Sequence, residues 1–156
     1  MRGAAEPIDL TAVPPGPRLA PLRSMSHAHA RSTILVVDDE PFIAQLIADV
    51  LTAEGYAVDT ASGGLAALER IGRRAYDLVL SDLRMPELDG LGLYRELERR
   101  CPDLARRFVF ITGTSEHTDY HDLIQRVAAP VLTKPFDLLE LQRVAREMLL
   151  ASVPEP

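Results

Sequence analysis

Several features are scarce in this chain, and each scarcity excludes a class of protein. The 156 residues include one cysteine, Cys101, which cannot form a disulfide within the chain, so the fold does not depend on an oxidising compartment. Apolar runs stay far below the roughly 20 residues of a membrane-spanning helix. The first 31 residues also lack the apolar core of a secretory signal. We therefore expect a cytoplasmic protein that does not act at a membrane.

Basic residues are also in deficit. The chain has 17 Lys and Arg residues against 23 Asp and Glu residues, which gives a formal net charge of −6. Sequence-independent nucleic-acid binding needs a basic face, so this balance argues against a nucleic-acid partner. Lysine is scarcer still, because 16 of the 17 basic residues are arginine and only Lys134 is lysine.

Proline is unevenly distributed and divides the chain. Five of the 12 prolines lie in residues 1–31, where no periodic apolar pattern occurs. We predict a flexible, Pro-rich leader over 1–31, one folded domain over 32–152 and a short tail over 153–156. The leader holds four Arg and two acidic residues, a charge of +2, so the remaining residues carry −8.

Beyond the leader, short apolar runs alternate with segments of helical periodicity. The runs predict five buried strands, at 33–37, 56–60, 77–81, 107–112 and 130–133. The periodic segments predict five helices, at 41–54, 62–72, 91–100, 118–127 and 137–151. Five such alternations with short connections predict right-handed βαβ units and an α/β fold with one doubly wound parallel sheet.

Three local signals refine the helices. Apolar residues at 42, 43, 46, 47, 50 and 51 have helical spacing and predict the first helix, with Gly55 as its C-terminal stop. Ser62 is expected to cap the second helix. Asp137, with Glu140 three residues later, predicts a capping box at the start of the last helix.

Polar side chains stand where four of the predicted strands end. Asp38 and Asp39 follow the first strand, and Asp82 follows the third. Thr112 ends the fourth strand, and Lys134 follows the fifth. Each has an ordinary explanation when taken alone, such as helix capping, a turn, strand propensity or a solvated lysine. Ligands of doubly wound sheets bind at the carboxyl ends of the strands, so the shared location favours one functional site.

The chemistry open to this set is narrow. Three carboxylates repel one another unless a cation lies among them, and hard oxygen ligands suit Mg²⁺. An aspartate can also attack phosphorus and form an aspartyl phosphate, whose charge a metal ion, a lysine and a hydroxyl would stabilise. The sequence has no Ser/His/Asp arrangement, no Cys/His metal spacing and no Gly-rich phosphate loop, so other common active sites are not indicated.

Four stretches carry a resemblance to a known family, in order and at the family's spacing. They are ILVVDDE (34–40), DLVLSDLRMPELDG (77–90), FVFITGT (108–114) and LTKPF (132–136). Together they resemble the receiver domain of two-component response regulators over residues 33–151. The resemblance implies a flavodoxin-like sheet in the order 2-1-3-4-5. It also implies a stand-alone signalling phosphoacceptor rather than a classical enzyme, with Mg²⁺-dependent self-phosphorylation and autodephosphorylation.

The resemblance also implies a role for each site residue. Asp82 would be the phosphoacceptor, and Asp38 and Asp39 would form the acidic pair that holds Mg²⁺, Asp39 more directly and Asp38 largely through water. The backbone carbonyl of Arg84 would be another metal ligand. Thr112 would be the switch hydroxyl and Lys134 the lysine that pairs with the phosphoryl oxygens, followed by a cis proline bond.

Partners and competing interpretations follow from the same resemblance. A histidine kinase or a histidine phosphotransfer protein would supply the phosphoryl group, and a downstream protein would read it. The fourth helix, fifth strand and fifth helix would form the switching surface and the expected homodimer contact.

Val131 stands where the family often has an aromatic residue, which argues against an aromatic rotamer switch. Arg84 could shield the phosphoryl group, contact a partner or simply be exposed.

Two alternatives stay open at this stage. The chain could be an interaction adaptor that keeps a receiver fold and works without phosphorylation. It could also be a hydrolase of the haloacid-dehalogenase-like class, which forms an aspartyl phosphate. That class carries a DxD motif after the first strand, whereas Asp38 and Asp39 are adjacent here.

Overall fold

A computed structural model of the protein describes residues 32–151, apart from the side chains of residues 114–119. The leader predicted for 1–31 and the tail predicted for 153–156 lie outside the described residues. The strands are β1 (Thr33–Val37), β2 (Ala57–Ala61), β3 (Leu78–Asp82), β4 (Phe108–Thr112) and β5 (Val131–Thr133). The helices are α1 (Pro41–Ala53), α2 (Gly64–Arg73), α3 (Gly90–Arg100), α4 (Pro102–Ala105), α5 (Thr114–Gln125) and α6 (Leu138–Leu150).

The strands form one parallel sheet in the order β2-β1-β3-β4-β5, as expected from the sequence. β1, β3 and β4 are buried along their whole length, which explains why they appear in the sequence as continuous apolar runs. The order reverses between β1 and β3, so the crevice at their carboxyl ends is where a doubly wound fold binds its ligands.

Helices cover both faces of the sheet. One core packs α1 and α6 against side chains such as Ile34, Leu80 and Ile111. The other packs α2, α3 and α5 against the opposite face, around Phe108 and Phe110. No helix within the described part of the chain combines the length and apolar character needed to cross a membrane.

The predicted elements are all present, with small shifts. β2 and β3 begin one residue later than predicted, so Asp82 is the last residue of β3 rather than the residue after it. The weak helix predicted for 118–127 begins earlier, at Thr114. The single turn of α4 was not predicted, because four residues are too few to show a helical period.

One local prediction about the helices was wrong, and one helix buries a different face from the one its largest apolar residues mark. Helix α2 begins at Gly64 with Gly63 at the cap position, so Ser62 does not cap it. Helix α1 buries Ala44, Ile47, Ala48 and Leu51, whereas Phe42 is 80% exposed and Leu46 is 44% exposed. The buried face of α1 is therefore rotated toward its alanines, and two large apolar side chains face outward. At the last helix, the Asp137 carboxylate does cap, accepting from the Leu139 N–H at 2.9 Å.

Candidate functional site

Three carboxylates meet where β1 and β3 end. The parallel register pairs Val37 with Ser81, so the next residues on the two strands, Asp38 and Asp82, lie side by side. Oxygen atoms of Asp38, Asp39 and Asp82 lie within 4.8 Å of one another. Asp38 and Asp82 are buried, and Asp39 is exposed at the mouth of the site. The structure thus brings together the three acids that the sequence singled out.

Asp38 is the most deeply buried charge of this group, with 1% of its surface exposed. One oxygen, Oδ1, accepts a hydrogen bond from the backbone N–H of Glu40 at 2.9 Å. The other, Oδ2, is buried and has no hydrogen-bond partner among the described residues. Burial raises the pKa of Asp38, and the Glu40 N–H and the charge of Lys134 offset this only in part.

Lys134 brings the one ammonium group into the acidic cluster. Its Nζ lies 3.4 Å from Asp82 Oδ1 and 3.5 Å from Asp38 Oδ2. Its position is fixed by the backbone, because its N–H donates to the Thr112 carbonyl at 2.7 Å and its peptide bond to Pro135 is cis, as expected. Burial lowers the pKa of Lys134, but attraction to Asp38 and Asp82 outweighs burial and leaves that pKa raised. The group is therefore charged at neutral pH.

Two buried hydroxyl groups lie near the ends of β3 and β4. Thr112 is fully buried at the end of β4, and its hydroxyl donates to the Gly113 carbonyl at 3.0 Å. Ser81 is equally buried, and its hydroxyl donates to the Asp82 carbonyl at 2.9 Å. The Thr112 side chain thus stands at the same strand edge as Lys134, as the sequence predicted.

The loop between β3 and α3 is held tightly against the phosphoacceptor candidate. Gly90 donates its N–H to the Leu83 carbonyl at 2.8 Å, and a Cβ at this position would overlap the Asp82 carbonyl oxygen. Glu87 adopts a left-handed conformation with φ of 69°, which is costly for a residue with a side chain. Only a glycine at position 90 lets the loop close this tightly over Asp82.

A second set of contacts, which no sequence motif indicated, ties this loop to α5. Asp89 caps α3 by accepting from the Gly92 N–H at 2.7 Å. Its other oxygen accepts from the Tyr120 hydroxyl at 3.3 Å. Burial raises the pKa of Tyr120, and a hydrogen bond from the exposed Arg84 side chain acts in the opposite direction. Arg84 is therefore engaged with α5 through Tyr120 rather than being a bare surface arginine.

The acidic cluster suits a hard divalent cation. Three carboxylates supply negative oxygen ligands, and one of them, Asp38 Oδ2, is a buried acceptor without a hydrogen bond among the residues described. A buried carboxylate oxygen that accepts no hydrogen bond and has only the 3.5 Å ion pair to Lys134 costs free energy that a bound cation would recover. Oxygen ligands beside an open mouth match Mg²⁺, which keeps several of its waters.

Comparison with known proteins connects this geometry to a family. The family model described as the response regulator receiver domain matches residues 34–146. The transcriptional regulatory protein GlrR of Escherichia coli (strain K12) is 36% identical over 130 residues, which are 83% of this chain and 28% of GlrR. The response regulator receiver protein CpdR of Brucella abortus (strain 2308) is 34% identical over 119 residues, 76% of this chain and 98% of CpdR.

A solved structure gives the same likeness in three dimensions. The response regulator TrrA of Thermotoga maritima, crystallised with Mg²⁺ and BeF, is 35% identical to this chain. The match covers 76% of this chain and 99% of TrrA, with a TM-score of 0.67. The chain thus spans nearly the full length of CpdR and TrrA but only 28% of GlrR.

Proposed function

Because the chain belongs to the response regulator receiver family, we propose that it accepts a phosphoryl group on Asp82 in two-component signalling. The single observation that carries the assignment to Asp82 is the placement of Lys134, whose ammonium lies between Asp82 and Asp38 in a pocket of three acids. The proposal includes residues 32–152 as the receiver domain.

The chemical step requires little covalent machinery. An oxygen of the Asp82 carboxylate attacks the phosphorus of a phosphohistidine, and the bond from phosphorus to nitrogen breaks with its electron pair left on the imidazole. Lys134 then pairs with the phosphoryl oxygens, and the Thr112 hydroxyl turns from the Gly113 carbonyl to donate to them. Water later attacks the acyl phosphate and restores the carboxylate.

Magnesium is the proposed cofactor. Asp38, Asp39, Asp82 and the Arg84 carbonyl are the residues that would hold it, with Asp39 the more direct ligand of the acidic pair. When bound, Mg²⁺ supplies positive charge that neutralises the three carboxylates and the oxygens of the transferred group. TrrA, which is similar to this chain, was crystallised with Mg²⁺ and BeF, and this supports the assignment.

Phosphorylation with a small donor tests the proposal. Incubation with acetyl phosphate and Mg²⁺ should add one phosphoryl group in a bond that survives mild acid and breaks in base, as measured by intact-mass spectrometry. Asp82→Asn should abolish the adduct, whereas Asp49→Asn should keep it, because Asp49 is exposed on α1 and hydrogen-bonds only Gln45 among the contacts described. An adduct of normal yield on Asp82→Asn would overturn the assignment.

The phosphodonor needs a docking surface beside Asp82, and the exposed apolar residues supply one. Phe42 lies in the first turn of α1 and Leu139, 72% exposed, in the first turn of α6. Both helices begin at the carboxyl edge of the sheet and pack on the same face. A donor that reaches Asp82 passes this edge, so we assign these side chains to the contact with a histidine kinase or a histidine phosphotransfer protein.

If this docking assignment is correct, loss of the apolar surface should slow transfer from a protein donor but not from a small-molecule donor. Phe42→Ser should slow transfer from a phosphorylated histidine-bearing partner and leave phosphorylation by acetyl phosphate unchanged. Leu150→Ser is the matched control, since Leu150 is also exposed but ends α6 at the opposite edge. Equal rates for wild type and Phe42→Ser with the protein donor would contradict the assignment.

The output surface is proposed to lie on α5, β5 and α6, including contact with a second copy of the chain. Val131 is partly buried in β5 and packs against the core that contains Phe110. Its side chain is not aromatic, so this position has no ring that could change rotamer on activation. The Tyr120 hydrogen bond to Asp89 is the contact through which the phosphorylation loop and α5 would influence each other. Equal affinity for a downstream partner with and without the adduct would instead favour the phosphorylation-independent adaptor.

A further inference from the structure

Arginines gather at the end of the sheet opposite the acidic cluster. They belong to the two connections that lead into the amino ends of β3 and β4, namely residues 70–77 and 99–107. Seven of the 13 basic residues beyond the leader lie there. The five-residue strands between the two ends separate them by about 16 Å, so this region is distinct from the Asp82 pocket.

A groove of about 620 Å³ runs between these two connections. Its charged lining residues are Arg73, Arg74, Arg100, Arg107 and Asp103, a net +3 that three acids just outside the lining offset, because Glu69, Asp59 and Glu96 pair with Arg73, Arg74 and Arg100. Its apolar lining includes Ile71, Ala75, Pro102 and Leu104. The groove is shallow and largely open to solvent, so a ligand bound there would keep part of its surface exposed.

Two of the guanidinium groups are held in place before any ligand binds. Arg74 pairs with Asp59 at 2.9 Å and lies 5.9 Å from the centre of the Tyr76 ring, and Arg100 pairs with Glu96 at 3.0 Å. Each pair is exposed and uses only part of the five N–H donors of a guanidinium. The remaining N–H donors of both side chains are available to a ligand.

The third guanidinium, that of Arg107, is incompletely satisfied. Its Nε is buried and has no hydrogen-bond partner within residues 32–151. A buried donor of this kind costs free energy, and a small rotation of the partly exposed side chain would direct it to an oxygen in the groove. Helices α2 and α3 end here with partial negative charge, so capping alone accounts for some of the arginines. Helix capping does not account for the buried Arg107 Nε, because Arg107 lies between α4 and β4.

We propose that this groove binds an organic phosphate of the nucleoside diphosphate class. The fork of a guanidinium matches two phosphate oxygens, which accounts for the arginine rim. The apolar lining accounts for an organic moiety such as a nucleobase. An inorganic anion would leave that surface unused, and a neutral nucleoside would leave the charge unused.

Cys101 offers a direct readout, because it is the one cysteine of the chain and it lines the groove. The rate of its alkylation by iodoacetamide is measured at low salt in EDTA, which keeps ADP from reaching the Asp82 pocket through Mg²⁺. Millimolar ADP should slow alkylation about threefold or more by covering the thiol, while adenosine should leave the rate unchanged and tripolyphosphate should slow it less than ADP.

Arginine variants test whether ADP protects Cys101 by binding in the groove. Arg100→Gln and Arg107→Gln should each raise the ADP concentration for half-protection about fivefold. Arg143→Gln, on the exposed face of α6, should leave it unchanged. Because Arg107 is partly buried, normal Asp82 phosphorylation serves as the check that its variant is folded, and the exposed Arg100 gives an independent result.

Several outcomes would overturn the proposal. These are no protection by ADP, equal protection by adenosine or by tripolyphosphate, and an unchanged ADP dependence in Arg100→Gln. Stronger protection by an acidic peptide than by ADP would reassign the groove to a protein partner. None of these results bears on Asp82, so the proposed phosphoacceptor function stands or falls separately.

Discussion

The two ends of the sheet carry opposite charge, and they hold it in different ways. At the carboxyl end, Asp38 and Asp82 are buried and share Lys134 at 3.4–3.5 Å. At the amino end, pairs such as Arg73 with Glu69 are exposed, at 2.9 Å. An exposed pair contributes about 0–1 kcal/mol, whereas a buried charge that loses its partner costs several times more. Burial, rather than the number of charges, therefore distinguishes the end to which we assign the phosphoacceptor site.

The largest expected effect concerns backbone packing at the two ends. Gly90→Ala places a Cβ against the Asp82 carbonyl oxygen and 3.0 Å from the Leu83 Cα, and neither backbone atom can move without moving the pocket. We expect a loss of about 3 kcal/mol in the free energy of unfolding, measured by urea denaturation.

The matched control for this change is Gly72→Ala at the amino end. A Cβ there meets no atom within 4 Å, and position 72 lies inside α2. The helix propensity of alanine should stabilise the protein by about 0.5–1 kcal/mol. Destabilisation of the same size in both variants would show that the carboxyl end is no more tightly built than the amino end.

A pair of tyrosines gives the next comparison. Tyr76, at the amino end, donates to Asp59 at 2.7 Å, and Tyr120, at the carboxyl end, donates to Asp89 at 3.3 Å. Tyr76→Phe should cost about 1.5–3 kcal/mol at neutral pH and leave phosphorylation unchanged. Tyr120→Phe should cost less but slow phosphorylation at limiting Mg²⁺, because it releases the loop that carries the Arg84 carbonyl.

The cost of Tyr76→Phe should depend on pH. Burial, reinforced by Asp59, raises the pKa of Tyr76 to about 12. A raised pKa in the folded state gives stability that is complete below the ordinary tyrosine pKa of about 10 and is lost as the pH rises through the folded value. The difference between wild type and Tyr76→Phe should therefore shrink between pH 10 and pH 12, and a constant difference would contradict the assigned cause.

Lys134→Arg tests whether the carboxyl end depends on shape as well as charge. The guanidinium is a broad planar fork, and the space between Asp38 and Asp82 accommodates the compact ammonium. Phosphorylation of Asp82 or its coupling to partners should fall about tenfold or more. Arg73→Lys, the reverse exchange at the exposed amino end, should change neither. A Lys134→Arg variant that signals like wild type would remove the case for a shape-specific lysine.

The smallest expected effect is the stabilisation of the carboxyl end by Mg²⁺. At ten times its dissociation constant, Mg²⁺ should raise the free energy of unfolding by about 1.4 kcal/mol. The gain should decline as the pH falls, because protonated carboxylates do not bind metal, and the raised pKa of Asp38 makes the decline begin above the usual aspartate range. Asp38→Ala should reduce the gain and Arg100→Gln should not, as measured by thermal unfolding with EDTA as the reference.

How much of this could be predicted from sequence differs between the two ends. The acidic cluster was predictable because Asp38, Asp82 and Lys134 each stand where a strand ends, and parallel strands bring such ends to one edge. The groove could not be predicted, because Arg74 and Arg107 lie in separate connections and no sequence pattern relates them. The exposed Phe42 was missed because alanines can form a buried helix face as well as larger residues do.

The start of α2 shows a second limit. Ser62 has a side chain that commonly caps helices, but α2 begins two residues later, at Gly64. A Cβ at position 64 would collide with Leu88 from the loop before α3. Close packing against a distant segment decided that boundary, and local sequence does not contain this information. The Tyr120 hydrogen bond to Asp89 was hidden for the same reason, since 31 residues separate its partners.

The strand order has a consequence for how the protein is made. A chain emerging from the ribosome has all three acids once residue 82 is out, but its counter-cation follows only 52 residues later, on the edge strand β5. A nascent chain therefore spends part of its synthesis with these three acids present and their ion-pair partner Lys134 not yet made. Pairing of β5 with β4 completes the sheet and brings Lys134 to the acids, so we expect the proposed phosphorylation of Asp82 to require the finished domain.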